Sequence, residues 1–173
     1  MAGLLASCAT PTAPATPVAC AALPAALATM KNVKVASAVV TAADDKCTPA
    51  HCKVNGVANE RTGSDGRKYA IGFEMRLPAA WNKRFLHQVN GGNDGKVVPA
   101  LGALAIHNRS ALQRGFAVIS SDSGHSEDDP ANASLGLAKG NAFGLDLQAR
   151  RDYGYSANET MWQVAQSLMQ SHY

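Results

Sequence analysis

The sequence predicts an α/β fold in which a mixed, mostly parallel sheet is flanked by helices. Three observations carry that expectation. "FAVISSD" (116–122) is a short continuous apolar run, the pattern of a strand buried on both faces of a parallel sheet. "KYAIGFEMRLP" (68–78) alternates Tyr69, Ile71, Phe73 and Met75, as a strand with one face in a core does. Beyond Ser156, Met161, Val164, Ala165, Leu168 and Met169 recur at helical spacing. With 173 residues, 46% of them apolar and 17% charged, the chain suffices for one domain with a real core.

The elements follow in order. "LLASC" (4–8) fits the pattern in which a short apolar run ends in small residues before a cysteine that becomes lipid-modified, so Cys8 is the lipidation candidate. "ATPTAPATP" (9–17) reads as an extended tether. Seven residues precede Cys8 and none forms a positive n-region, so residues 1–17 are expected to be a clipped export signal and linker, with the start upstream. The domain itself is expected over 18–173. Residues 18–30 suggest a short helix and 33–42 an extended segment. "CKVNGVANERTG" (52–63) and 68–78 form two strands joined through the turn residues "GSDG" (63–66), and Pro78 ends the second. "KRFLHQV" (83–89) is a third strand that runs into a glycine turn.

"ALGALAIHNRSALQRG" (100–115) predicts a helix from Leu101, Leu104, Ala105, Ala111 and Leu112, with Gly115 as its C-terminal cap. After the 116–122 strand, residues 123–154 read as a long irregular stretch, of a length usually functional or wrapped over the protein. Ser156 and Glu159 then form a capping box that opens the last helix. Parallel strands need crossover helices, so a final helix with an apolar face calls for a following strand. The expectation is the N-terminal part of a longer domain.

Composition narrows the function. The net charge of +3 is scattered, with no basic stripe interleaved with aromatics, which argues against a nucleic-acid partner. No apolar run approaches the roughly 20 residues of a membrane-spanning helix, which leaves a lipid anchor at Cys8 as the one expected membrane attachment. Four cysteines (Cys8, Cys20, Cys47, Cys52) suit an oxidising compartment, and acylation of Cys8 would leave one of the other three to stay free or find a partner elsewhere. The run from Cys47 to Cys52, with His51, lacks zinc-ligand spacing, so no metal is expected there.

The sharpest local candidate is "NGGNDG" (90–95), between a strand and a helix-like stretch. Gly91, Gly92 and Gly95 miss the G-x-G-x-x-G spacing of a dinucleotide fingerprint, and no Gly-Lys-Ser/Thr supplies a phosphate loop. Two readings stay open on residues alone: an ordinary loop, or a turn donating one backbone N–H to an oxyanion. "SSDSGHSEDD" (120–129) resembles a Ser/His/Asp cluster, but triad partners are gathered from distant positions. Asp122 and His125 are therefore expected to fix a turn by side-chain-to-backbone hydrogen bonds. No G-x-S-x-G nucleophile elbow occurs. His51, His87, His107 and His172 read as isolated surface or helix-face residues. The sequons at Asn108, Asn132 and Asn158 read as coincidence.

Three stretches together resemble the tannase and feruloyl esterase family of α/β-hydrolases: "HCKVNGVANERTGSDGRKYAIGFEMRLPAAWNKRF", "ALQRGFAVISSDSGH" and "AFGLDLQARRDYGYSA". The likeness covers roughly 18–173 and is particularly close to the bacterial mono(2-hydroxyethyl) terephthalate hydrolase branch. It implies the N-terminal part of an extracytoplasmic serine esterase acting on galloyl, feruloyl or terephthaloyl esters. The family's "C-S-x-G-G" elbow, its acid and histidine, and a lid with a calcium ion would all lie beyond Tyr173. The resemblance expects no cofactor within this stretch, and the 173 residues alone are expected to be inactive. It aligns Gly92 with the loop glycine whose N–H forms half of the oxyanion hole. It also aligns Cys20 and Cys52 with a family disulfide, and gives Cys47 no counterpart. A non-catalytic exported binding module using the 123–154 surface is the alternative.

Overall fold

The computed structural model describes residues 19–103 and 109–173. Cys8, His107 and Asn108 lie outside them. A 3₁₀ turn (Cys20–Ala22) leads into a short helix, α1 (Leu23–Ala26), with a proline in its first turn, where the missing N–H costs nothing. The sheet comprises β1 (Val33–Thr41), β2 (His51–Thr62), β3 (Lys68–Pro78), β4 (Phe85–Gln88) and β5 (Ala117–Ser121) in the spatial order β1-β2-β3-β5-β4. A five-residue helix, α2 (Leu147–Arg151), continues through a π turn (Asp152–Ser156) into α3 (Ala157–His172).

The sheet is mixed, as expected, but its described part is not mostly parallel. β1–β2, β2–β3 and β3–β5 run antiparallel and only β4–β5 runs parallel. The short "GSDG" link forces the antiparallel β2–β3 hairpin, whose Gly66 sits at φ +79°. The 28 residues between β4 and β5 permit a parallel return. β5 is buried along its whole length, in keeping with its uninterrupted apolar run. Met161, Val164, Ala165 and Leu168 of α3 are fully buried and belong to one core with Ile71, Phe73 and Met75 of β3 and Ile119 of β5. Burying each such large side chain contributes about 1.5–3 kcal/mol.

Three expectations are corrected. No helix spans the described part of 100–115, which holds only a 3₁₀ turn at Leu112–Arg114. Gly102 explains this: at φ +63° it leaves the right-handed helical region, and a Cβ there would lie 2.5 Å from that of Ala111. Ala111 and Leu112 are buried by this chain reversal rather than as a helix face, while Gly115, at φ +84°, does cap the short turn. The 123–154 stretch is not irregular throughout: Pro130–Leu145 is 3₁₀ helical on both sides of a break at Gly136, and α2 follows. The capping box is absent, because Ser156 is itself helical and its side chain caps nothing. The capping residue of this helical run is Asp146, which accepts the N–H of Ala149 at 2.8 Å.

Cys20 and Cys52 form a disulfide that ties the segment before α1 to the start of β2. Cys47 is disulfide-bonded as well, so no described cysteine is a free thiol. The "WNKRF" segment bridges β3 to β4 structurally. Trp81 Nε1 donates to the Arg84 carbonyl at 2.8 Å, and Asn82 Nδ2 donates to the Arg114 carbonyl at 2.7 Å.

Candidate active site

The parallel strands β4 and β5 end side by side, and the 90–95 turn springs from the end of β4 next to the turn that follows β5. Gln88 starts the connection: its Nε2 donates to Asn90 Oδ1 at 3.1 Å, and its Oε1 accepts the Gly102 N–H at 2.7 Å. Asn90 then crosses to the neighbouring strand, donating through Nδ2 to the Ser121 carbonyl at 2.9 Å. Asp94, at φ +57°, accepts the Ser123 hydroxyl at 2.8 Å. Gly95 N–H donates to the Asp122 carbonyl, and Glu127 N–H returns a bond to the Gly95 carbonyl at 3.0 Å. Lys96 pairs with Glu127 and, at 3.2 Å, with Asp128.

Within this scaffold Gly92 is exposed at φ +67°, with open space where a Cβ would stand. Its N–H makes no hydrogen bond to the described residues, while its carbonyl accepts from the Tyr153 hydroxyl at 3.3 Å. Chemically this is an unspent backbone donor on a braced turn.

Asp122 and His125 lie at the mouth of β5 but act differently. Asp122 Oδ1 accepts the N–H groups of Gly72 at 3.0 Å and Gly124 at 2.9 Å, which locks the end of β5 to β3. Burial pushes its carboxyl up to about 7, against those two N–H groups and with help from the Asp94 carboxylate. His125 departs from the expected turn-fixing hydrogen bonds, since neither ring nitrogen has a partner among the described residues. Instead the ring stacks on Phe143 at 3.8 Å between centroids and meets Tyr153 edge-on at 5.8 Å. Burial holds its pKa down and so favours the neutral ring that such packing suits. His125, Phe143 and Tyr69 line a cavity of about 480 Å³ together with Asn132, whose burial is at odds with a glycan. His51 and His172, read as surface or helix-face residues, are both buried, His172 at the end of α3, and line a second cavity of about 340 Å³ beside the Cys20–Cys52 disulfide.

Sequence reasoning missed the residue that anchors the helical run. Asp146, buried, accepts from Arg61 Nη2 at 2.7 Å, from Ser64 N–H at 3.1 Å and from Ala149 N–H. Although burial pushes this carboxyl up, the Arg61 guanidinium and the two N–H groups hold it well below the usual carboxylate range. Arg61 in turn lies 4.5 Å from the centroid of the Tyr69 ring and 3.8 Å from Asp152. The usable signal was an aspartate just ahead of "LQARR", a cap before a good helix former.

Comparison with known proteins gives the geometry its setting. Residues 52–173 match the tannase and feruloyl esterase family. Over 126 residues the chain is 39% identical to a mono(2-hydroxyethyl) terephthalate hydrolase of Piscinibacter sakaiensis, covering 72% of this chain and 21% of that protein. Over 149 residues it is 27% identical to an uncharacterised esterase of Agrobacterium fabrum, covering 82% of this chain and 25% of that protein. The chain thus spans about a quarter or less of the curated relatives it matches. The crystal structure of an esterase from Aspergillus oryzae superposes with a TM-score of 0.58 at 17% identity, over 89% of this chain and 29% of that one, which shows a shared fold. The family match over 122 residues, more than half of the chain, is decisive: this chain belongs to the tannase and feruloyl esterase family.

Proposed function

We propose that the protein of which this chain forms part hydrolyses aromatic carboxylic esters of the galloyl, feruloyl or terephthaloyl type through a serine nucleophile, and that Gly92 supplies one oxyanion-hole donor. The observation that carries the reading is the unspent N–H of Gly92, exposed on a turn braced by Asn90, Asp94 and Gly95. When the serine adds to the ester carbonyl, charge builds on the carbonyl oxygen, and a fixed N–H aimed there needs no reorganisation. Each such donor is worth about 3 kcal/mol of transition-state stabilisation. The family membership and the mono(2-hydroxyethyl) terephthalate hydrolase relative support the ester class. The chain contains neither G-x-S-x-G nor C-S-x-G-G, so the serine is sought in the remainder of the reading frame. The Cys20–Cys52 disulfide supports an extracytoplasmic setting.

The test compares the complete reading frame with the 173-residue chain on methyl ferulate and on a nitrophenyl benzoate. The expected result is turnover and labelling by a serine-reactive phosphonate for the complete protein only. Turnover by the 173-residue chain, or a complete protein that is active but unlabelled, would overturn the serine reading.

A further inference from the structure

The turn that carries Gly92 is fastened to the β5 side through Asn90, Asp94 and Gly95, and the peptide that carries the Gly92 N–H is itself held by one long bond, from the Asp94 N–H to the Gly91 carbonyl at 3.4 Å. The carbonyl of Gly92 has one partner among the described residues, the hydroxyl of Tyr153, 61 positions further on. We propose that Tyr153 is a positioning residue for the oxyanion donor, holding the Gly92 carbonyl so that the N–H on the other side of the same Cα keeps its aim. This rests on the reading of Gly92 given above.

Tyr153 is well placed for such a duty because its own position is set from several sides. It sits on the π turn between α2 and α3, the kind of helix irregularity found frequently at functional sites. Its ring meets Phe143 at 5.1 Å and His125 at 5.8 Å, and those two rings stack on each other at 3.8 Å. Aromatic pairs at such distances add stability beyond the area they bury. The backbone beneath is pinned at Asp152, which accepts from Gln148 at 2.9 Å and packs against Gly124, where an added Cβ would come within 2.7 Å of its own Cβ. One turn earlier Asp146 clamps the start of α2 to Arg61. The hydroxyl therefore reaches Gly92 from a braced platform.

Glycine at φ +67° has no Cβ to restrict its torsions, so an external restraint on its carbonyl has more to do here than at any other residue type. The Gly92 carbonyl and N–H belong to adjacent peptides that share one Cα. A bond to the carbonyl narrows the range of ψ, and with it the range of directions in which the N–H points. A neutral hydrogen bond of this kind changes an equilibrium by about three- to tenfold.

The test uses the complete protein, with Tyr153→Phe and Gly92→Pro compared against the parent. Phenylalanine keeps the ring and its contacts and removes only the hydroxyl. Expected for Tyr153→Phe is a kcat lowered about three- to tenfold, with KM and melting temperature unmoved. Its affinity for an aryl boronic acid, which mimics the tetrahedral intermediate, should weaken by the same factor. Gly92→Pro, which deletes the N–H, should lower kcat by about a hundredfold or more. Unchanged kcat in Tyr153→Phe beside a crippled Gly92→Pro overturns the positioning role and leaves the Gly92 reading standing. A raised KM at constant kcat also overturns it, because the hydroxyl would then serve substrate binding. Full activity in Gly92→Pro overturns the reading of Gly92 itself. Because proline cannot hold φ +67°, a loss in Gly92→Pro is separated from a distorted turn by exchanging the Gly92 amide for an ester, which replaces the N–H by oxygen and adds no side chain. A lowered kcat is expected, and full retention overturns the reading of Gly92.

Discussion

Replacing Asp146 by alanine should unfasten the helical run that carries Tyr153. Three kinds of contact go at once: the 2.7 Å bond from Arg61, the bonds from Ser64, and the cap on Ala149. A lost aspartate N-cap costs about 0.5–2 kcal/mol. A lost hydrogen bond to a charged partner costs about 1.5–3 kcal/mol, and here it also leaves Arg61 with the longer contact to Asp152 at 3.8 Å as its carboxylate partner, beside the Tyr69 ring. The sum is about 3 kcal/mol, a large share of the stability of an ordinary domain. Because the Asp146 carboxyl is held below its unfolded value, its contribution is present above the ordinary carboxylate pKa and fades as pH falls through the folded one. Urea unfolding followed at pH 7 and again at pH 3 measures both points. The gap between parent and Asp146→Ala should be about 3 kcal/mol at pH 7 and narrower at pH 3. A gap below about 1 kcal/mol at pH 7, the range of an exposed ion pair, would refute the account.

Three further outcomes are expected. Cys20→Ala with Cys52→Ala should lower stability by about 3–4 kcal/mol, the loop-closure value for residues 32 apart in sequence, and reductant should abolish the difference between parent and variant. Asp122 has its folded pKa raised from 3.8 to about 7, so stability should decline as pH rises through that window and then level off. Asp122→Asn should flatten the decline in melts recorded from pH 4 to pH 8, and an unaltered slope would count against it. Gly95→Ala should destabilise by more than Gly66→Ala: both carry positive φ, but only at Gly95 does a Cβ run into backbone, the Glu127 nitrogen at 2.9 Å. Chemical denaturation of the pair reads the difference.

What the sequence made legible followed from whether local pattern and tertiary packing agreed. At β5 an unbroken apolar run could satisfy only a doubly covered strand, and it is one. At β3 alternation and burial coincide over Tyr69, Ile71, Phe73 and Met75. The 100–115 stretch failed because burial was mistaken for periodicity. At Gly102 the backbone leaves the right-handed helical region, and in the described part of the stretch Ala111 and Leu112 reach the interior without an α-helix. The start of the last helix failed for a related reason. Gly154 and the polar residues around it hid the π turn, and the true cap stands ten residues before Ser156, at Asp146. The Gly92 turn was legible as a turn, but its bracing was not. Asn90, Ser123 and Tyr153 come together only because β4 and β5 run parallel and the helical run folds back over their ends.

The π turn has one more consequence. Each residue in an α-helix advances the side chains by about 100° around its axis. A single extra residue between Arg151 and Ala157 thus changes the angular offset between the faces of α2 and α3. With α3 seated on the core and α2 pinned through Asp146, that offset can be accommodated only in the residues between, where Tyr153 is carried. Loss of one residue there would let the helix run on regularly while swinging the phenol away from the turn. A one-codon deletion at Gly154 could therefore alter the chemistry without removing any group that performs it.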